Sequence, residues 1–252
     1  MTPTPVALFV TCLVDQIMPE VGLATVRLLR RADCEVLFPP GQTCCGQPFF
    51  NSGFLHEATR LAKQTIELLE SYEVVVLPSG SCTGMIRVEY AHLLAEEPEW
   101  AARAQALAAK TFELTEFLTQ TALKAQTAVL PAAAGAAGED GEETAVTYHD
   151  SCHMCRLLGL RQSPRQLLRQ NGYQISEMSE SDRCCGFGGL FSERLSNVAG
   201  AMSAEKLRQA QATGADKVVT ADPGCLMQLR RVAAAQNWQI AVVHIATLLA
   251  RD

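Results

Sequence analysis

FPPGQTCCGQPFFNSGF, residues 38–54, and CCGFGGLFS, residues 184–192, each carry a vicinal cysteine pair followed by glycine. Working outward from those pairs exposes an internal repeat. In the first half, 31 residues separate Cys12 from Cys44-Cys45-Gly46, and 36 separate that pair from Cys82. In the second, 31 residues separate Cys152 from Cys184-Cys185-Gly186, and 39 separate the pair from Cys225. The likeness extends beyond the thiols, since Pro78-Ser79-Gly80-Ser81-Cys82 is answered by Asp222-Pro223-Gly224-Cys225. Buried bystander cysteines pack as small hydrophobes, but they would not share an identical gap and two vicinal pairs.

The segments between the cysteines alternate in character. Residues 6–10 (VALFV), 35–38 and 74–77 are short β-branched or apolar runs of the kind that form buried strands. Residues 21–31 and 54–71 between them carry the 3.6-residue apolar stripe of amphipathic helices, with Leu55, Ala58, Leu61, Ala62, Ile66 and Leu69 in the second. The other half repeats the scheme, with strands at 145–148, 217–220 and 239–243 and helices at 164–171 and 196–213. Alternating strands and helices predict an α/β fold: two similar Rossmann-like modules with short, mostly parallel sheets, related by an internal two-fold. Residues 131–143 (PAAAGAAGEDGEE) cannot build a packed element and are read as a linker. The expected division is therefore 1–130 for the first module, 131–143 for the linker and 144–252 for the second.

Composition narrows the function classes. The chain has 252 residues, 48% hydrophobic and 19% charged, with net charge −6. With no basic stripe it is not read as binding nucleic acid. Apolar runs such as 74–77 and 240–243 are far too short to span a bilayer, so no direct membrane insertion is expected. The opening MTPTPVALFVTCLVD lacks the positive n-region of a signal peptide, and the expected localisation is cytoplasmic. In a reducing compartment the ten cysteines are poor candidates for structural disulfides.

The cysteines instead suit a metal centre. Cys12, Cys44, Cys45 and Cys82, and likewise Cys152, Cys184, Cys185 and Cys225, all follow a predicted strand or the loop after it. Ligands of open parallel sheets bind beyond the carboxyl ends of the strands, so each set can converge despite its wide spacing. Helices starting at Cys12, Cys82 and Cys152 would aim N–H groups at the sulfurs and favour thiolate. Adjacent cysteines are awkward for one tetrahedral zinc but suit a polynuclear iron–sulfur centre. Glycine after each pair permits a positive φ and close approach of backbone to an inorganic core. Gly186-Phe187-Gly188-Gly189 is not a dinucleotide loop, because it lacks the strand–GxGxxG–helix context.

The strings at 38–54, 78–82 (PSGSC), 148–154 (YHDSCHM) and 184–192 resemble the cysteine-rich CCG-domain family over essentially the whole chain. That family includes the cysteine-rich component of heterodisulfide reductase and the iron–sulfur subunit of glycolate oxidase. More narrowly, the chain is similar to the lactate utilization protein A family. The resemblance implies an iron–sulfur electron-transfer subunit in a complex oxidising L-lactate, a 2-hydroxy acid, to pyruvate. It also implies a ferredoxin-like lactate utilization protein B and a smaller protein C as partners. The eight repeated cysteines become the expected cluster ligands, with [4Fe–4S] the expected type. The heterodisulfide reductase pattern ends each module with CxxC and uses five thiolates, whereas Met85 and Gln228 stand at that last position here. Four cysteines per module still suffice for a cluster, and a module holding zinc or an empty thiol site stays open.

The remaining candidates are weighed singly. Cys155 completes a CxxC with Cys152 and reads either as a fifth ligand or as a buried helix thiol, the second being favoured. Cys34 lacks a counterpart in the second half and reads as core. His149 and His153 flank Cys152 and can donate to a cluster sulfur or relay a proton, or else serve as hydrogen-bonded loop residues. His56, His92 and His244 read as structural, and Asp15 and Glu20 as acids in first helical turns. No flavin, nicotinamide or haem motif is visible, which makes the chain a non-flavin subunit of a lactate dehydrogenase or oxidoreductase complex, its hydride chemistry held by a partner or a shared site. The rival expectation is a cluster-free thiol-redox protein, or a zinc-stabilised scaffold that assembles such a complex.

Overall fold

A computed structural model describes residues 3–125 and 145–251, so the expected linker at 131–143 lies outside the described residues. The first half runs β1 (Thr4–Leu8), α1 (Cys12–Ile17), α2 (Pro19–Arg31), β2 (Cys34–Leu37), α3 (Gln47–Asn51), α4 (Leu55–Leu69), β3 (Val75–Leu77) and α5 (Gly80–Gly84). A π-helical turn at Met85–Glu89, α6 (Tyr90–Leu93), α7 (Pro98–Ala109), β4 (Thr111–Glu113) and α8 (Leu114–Ala125) complete it. The second half runs β5 (Ala145–Tyr148), a π-helical turn at His153–Leu157, α9 (Gln162–Gln170), β6 (Gln174–Ile175), α10 (Leu190–Arg194) and α11 (Ser196–Gln211). It ends with β7 (Lys217–Thr220), α12 (Pro223–Ala235), β8 (Ala241–His244) and α13 (Ile245–Leu249).

Each half builds a four-stranded sheet, in the orders β2-β1-β3-β4 and β6-β5-β7-β8, and every pairing is parallel. The α/β expectation of two similar modules holds. The sequence reading missed two strands. β4 is three residues wedged between helices, and β6 is only two residues long. Both are too short to show a period.

Val6, Ala7 and Leu8 of β1 and all of β3 are buried, as parallel strands covered on both faces must be. Alternate residues go to opposite faces. Val6, Leu8 and Val76 join one core, while Ala7, Phe9, Val75 and Leu77 join another with Ile66, Leu69 and Tyr90. The first core runs on without a break into the second half, through Val146, Tyr148, Val218, Val242 and Leu248. Burying each such side chain is worth about 1.5–3 kcal/mol.

The halves are also bound by exchanged helices. α8, which follows the last strand of the first sheet, packs on α9 of the second half, and α13, which follows the last strand of the second sheet, packs on α2 of the first. Arg31 near the end of α2 donates to the Leu249 carbonyl of α13 at 3.3 Å. Between these contacts, α5 lies against the His153–Leu157 turn. Gly80 makes that approach possible, since a Cβ there would stand 2.2 Å from Met154 Cγ.

Candidate metal centres

The strand order reverses between β1 and β3 in one sheet and between β5 and β7 in the other. Such switch points open a crevice beyond the carboxyl ends of the strands. Cys12 begins α1 just past β1, Cys82 lies in α5 just past β3, and Cys44-Cys45 arrive on the loop after β2. Cys152, Cys225 and Cys184-Cys185 occupy the same places around β5, β7 and the loop after β6. The topology therefore delivers four thiols to each switch point. None of the ten cysteines, all of them among the described residues, forms a disulfide.

In the first site Cys12 hydrogen-bonds Cys44, and Cys45 lies between Cys44 and Cys82 in contact with both, 3.2 Å from Cys82 Sγ. The hydrogen bonds from Cys12 and Cys45, with one from the Gly46 N–H at 3.4 Å, hold Cys44 as thiolate with its pKa lowered to about 3. Cys12 and Cys45 are pushed up in turn, first by those same hydrogen bonds to Cys44 and then by burial. Gln42 anchors the delivering loop by accepting from the Val10 N–H at 2.8 Å and donating to the Leu8 carbonyl at 2.9 Å. Ser79 caps α5 by accepting from the Cys82 N–H, and Tyr90 Oη donates to the Cys45 carbonyl at 2.8 Å. Thr11, Cys12, Phe38, Gln42 and Cys44 line a cavity of about 290 Å³. Thr11 Oγ1 is buried without a partner, and its backbone is held at φ 73°, ψ 149°.

The second site repeats this geometry with different supports. Cys152 hydrogen-bonds Cys184, and Cys185 lies between Cys184 and Cys225, 3.1 Å from Cys225 Sγ. Cys184 is held as thiolate, lowered to about 2 by Cys152, Cys185 and the Gly186 N–H. Contact with Cys185 pulls Cys225 down, but burial and Asp222 outweigh it and push Cys225 up to about 11. Asp222 fills the role of Ser79, accepting from the N–H groups of Gly224 and Cys225 at the start of α12. Ser203 fills the role of Tyr90, donating to the Cys185 carbonyl at 2.7 Å. Gly46 and Gly186 adopt φ 89° and 87°, the left-handed backbone expected after each pair.

Side chains from one half close over the other half's thiols. The Ser81 N–H donates to Asp222 Oδ2 at 2.7 Å, and Gln47, next to Gly46, donates through Nε2 to His153 Nε2 at 2.8 Å. With Nε2 accepting, His153 carries its proton on Nδ1 and donates it to Cys152 Sγ at 3.4 Å. A hydrogen-bonded path thus joins residues adjoining both thiol sites, and the enclosed space there is only about 70 Å³.

Two groups behind the second site escaped the sequence reading in whole or part. Lys206 is completely buried, with its Nζ donating to the carbonyls of Glu180 and Ser181. Burial lowers its pKa to about 8, while the carboxylates of Asp150 and Asp182 push the other way. In its helical setting it reads as one more surface lysine, and the matching signal is weak. Aligned on Ala58 and Ala199, whose carbonyls back Gly46 and Gly186, the first half places Thr65 where the second has Lys206. His149 is also completely buried, with neither ring nitrogen hydrogen-bonded, so it is not the hydrogen-bonded loop residue weighed from sequence. Burial, followed by the charge of Lys206, lowers its pKa to about 4. Its ligand atom lies within 4.8 Å of those of Cys185 and Cys225, and they of each other.

The other candidates fall outside the sites. Cys34 is buried in β2, and Cys155 is buried with its Sγ 4.0 Å from the Cys152 carbonyl. Met85 is core. Gln228 supports the site indirectly, donating to Ser203 Oγ at 2.9 Å. His92 is exposed beside Glu89, and His244 caps α13 by accepting from the Ala246 N–H. Asp15 and Glu20 sit in the first turns of α1 and α2, as expected.

The donor set at each site fits a thiolate-bound metal centre. Four sulfurs in serial contact, one of them already thiolate, are soft anionic ligands. Buried Lys206, with Asp150 and Asp182 acting on it, places a further cationic group beside the second set of thiols.

The cysteine-rich domain profile, CCG, matches residues 6–87 and 146–230. The chain belongs to the cysteine-rich CCG domain family. This CCG protein is 44% identical over 246 residues to the lactate utilization protein A of Bacillus subtilis (strain 168), covering 97% of this chain and 98% of that protein. It is 45% identical over 245 residues to the lactate utilization protein A of Bacillus licheniformis, with 97% and 98% covered. Among solved structures it resembles a hypothetical protein from Helicobacter pylori with TM-score 0.70 at 11% identity, covering 98% of this chain and 49% of that one. The CCG chain thus spans about half of that structure, and the likeness is one of fold alone. No helix among the described residues is long and apolar enough to cross a membrane.

Proposed function

We propose that this CCG protein acts in lactate utilization as a non-flavin, iron–sulfur electron-transfer subunit of a complex that oxidises L-lactate to pyruvate. The observation that carries the reading is the twofold convergence of four thiols, Cys12, Cys44, Cys45 and Cys82 and then Cys152, Cys184, Cys185 and Cys225, at the switch points of two like sheets. The lactate utilization A proteins it matches along nearly its full length supply the pathway. A bound iron–sulfur centre supplies one-electron storage and transfer. This chain's residues do the rest. The eight cysteines hold the centres, [4Fe–4S] in the first instance, and Gly46 and Gly186 let the backbone approach them. Ser79, Asp222, Tyr90 and Ser203 fix the loops and helix starts, and the Gln47–His153–Cys152 path couples the two sites. Centres held by these thiols would pass electrons singly, and the hydride chemistry is assigned to a partner. A ferredoxin-like protein B and a smaller protein C are the proposed partners, in the cytoplasm.

A second reading has one observation in its favour. His149, Cys185 and Cys225 form a group that zinc also accepts, which supports a zinc-stabilised scaffold without redox work. Growth separates the two roles from an unrelated one. Deleting the gene, in a strain without another lactate dehydrogenase, is expected to impair growth on L-lactate and leave growth on pyruvate intact. Normal growth on lactate would remove lactate as the substrate and put glycolate next.

A further inference from the structure

The two halves differ just before the leading cysteine of the repeat. The residue three before the leading cysteine is Phe9 in the first half and His149 in the second. Phe9 is fully buried in an apolar core, where it needs nothing from a metal. His149 follows β5 directly, and its backbone N–H is bound by the Val219 carbonyl at 2.8 Å, so the sheet fixes where its ring stands. The ring has no solvent contact and no hydrogen bond on either nitrogen, and its ligand atom lies within 4.8 Å of the Sγ atoms of Cys185 and Cys225. A buried imidazole left unsatisfied is a net cost to folding, and such groups in native proteins call for an unseen ion or partner.

We propose that His149 ligates the metal centre of the second module through a ring nitrogen, so that thiolates and one imidazole hold that centre while thiolates alone hold the first. The inference rests on the iron–sulfur reading above and deepens it. A neutral imidazole donates less charge than a thiolate, and histidine-ligated clusters have higher potentials for that reason. Lys206, buried behind the same thiols, acts in the same direction. The second centre would then be the more oxidising of the two.

The test uses the full chain purified anaerobically, with natural and with ¹⁵N-labelled histidine, read by pulsed EPR and by iron and sulfide analysis. A ligand-strength nitrogen coupling that shifts with the label is expected, along with two resolved potentials in an EPR-monitored titration. His149→Cys is expected to keep the iron, lose the nitrogen coupling and lower the higher potential. His153→Asn is expected to keep the coupling. Iron and sulfide bound with no nitrogen coupling, or a coupling that survives His149→Cys, would overturn the proposal and leave the electron-transfer reading standing. Should His149→Cys fail to fold, the isotope comparison on the unsubstituted protein and on His153→Asn still decides it. A chain without iron or sulfide in either module would sink the electron-transfer reading and this proposal together.

Discussion

Gly186 stands at φ 87°, and a Cβ there would sit 2.6 Å from the Ala199 carbonyl oxygen, a backbone atom that cannot step aside. Gly186→Ala should therefore cost about 2 kcal/mol or more in stability. The matching Gly46→Ala should cost less, because its Cβ would meet Ala58 O at 3.3 Å. Paired urea denaturation curves check the order. Thr11 tests strain beside the first thiol site. At φ 73°, ψ 149° a β-branched residue occupies a region that suits only glycine, and its hydroxyl is buried without a partner. Thr11→Gly should stabilise the protein by about 1 kcal/mol even after glycine's entropy cost. A lower denaturation midpoint would show that Thr11 has a role the strain argument omits. The ligand assignment is tested at Cys185, which touches Cys184 and Cys225. Cys185→Ser should roughly halve the bound iron, while Cys34→Ser, buried in β2 away from both sites, should leave it unchanged.

At the level of elements, His244 ties the end of β8 to the start of α13 through its Nδ1. Burial lowers its pKa from 6.5 to about 4, with Asp222 and the backbone pulling upward and Arg230 downward. The folded protein then refuses a proton that the unfolded chain accepts, so stability is complete above about pH 6.5 and declines as the pH falls toward 4. The full effect is about 3 kcal/mol. His244→Asn, which keeps an acceptor for Ala246, should reduce but not abolish this fall in stability, measured by thermal melts between pH 7 and pH 4, since buried His149 is lowered over the same range. The elements themselves were largely legible. Lys217–Thr220 and Ala145–Tyr148 are strands residue for residue, and the amphipathic stripe located Leu55–Leu69 within two residues. The thiol positions were legible because a repeated spacing survives any local uncertainty. Lys206 was not, since burial of a helical lysine is set by what packs over it. The pairing of Gln47 with His153 was not legible either, because it joins residues more than a hundred apart.

For the whole molecule, the sequence reads as two modules in a row, yet the structure ties them together. α8 covers the second half, α13 covers the first, and one apolar core runs through both. Neither 1–130 nor 144–252 should give a cooperative thermal transition alone, and mixing the two fragments should restore one. Independent folding of either half would contradict the exchanged-helix arrangement. The interlocking matters to function because Ser81 and Gln47 of the first half complete the surroundings of the second thiol site. Two iron–sulfur centres, one in each four-thiol site, are the central proposal for this protein. Iron and acid-labile sulfide measured per chain on anaerobically purified full-length protein test it most directly. Brown protein with both present in amounts that require two centres is the predicted result, whereas colourless protein carrying zinc alone, or no metal, would contradict it.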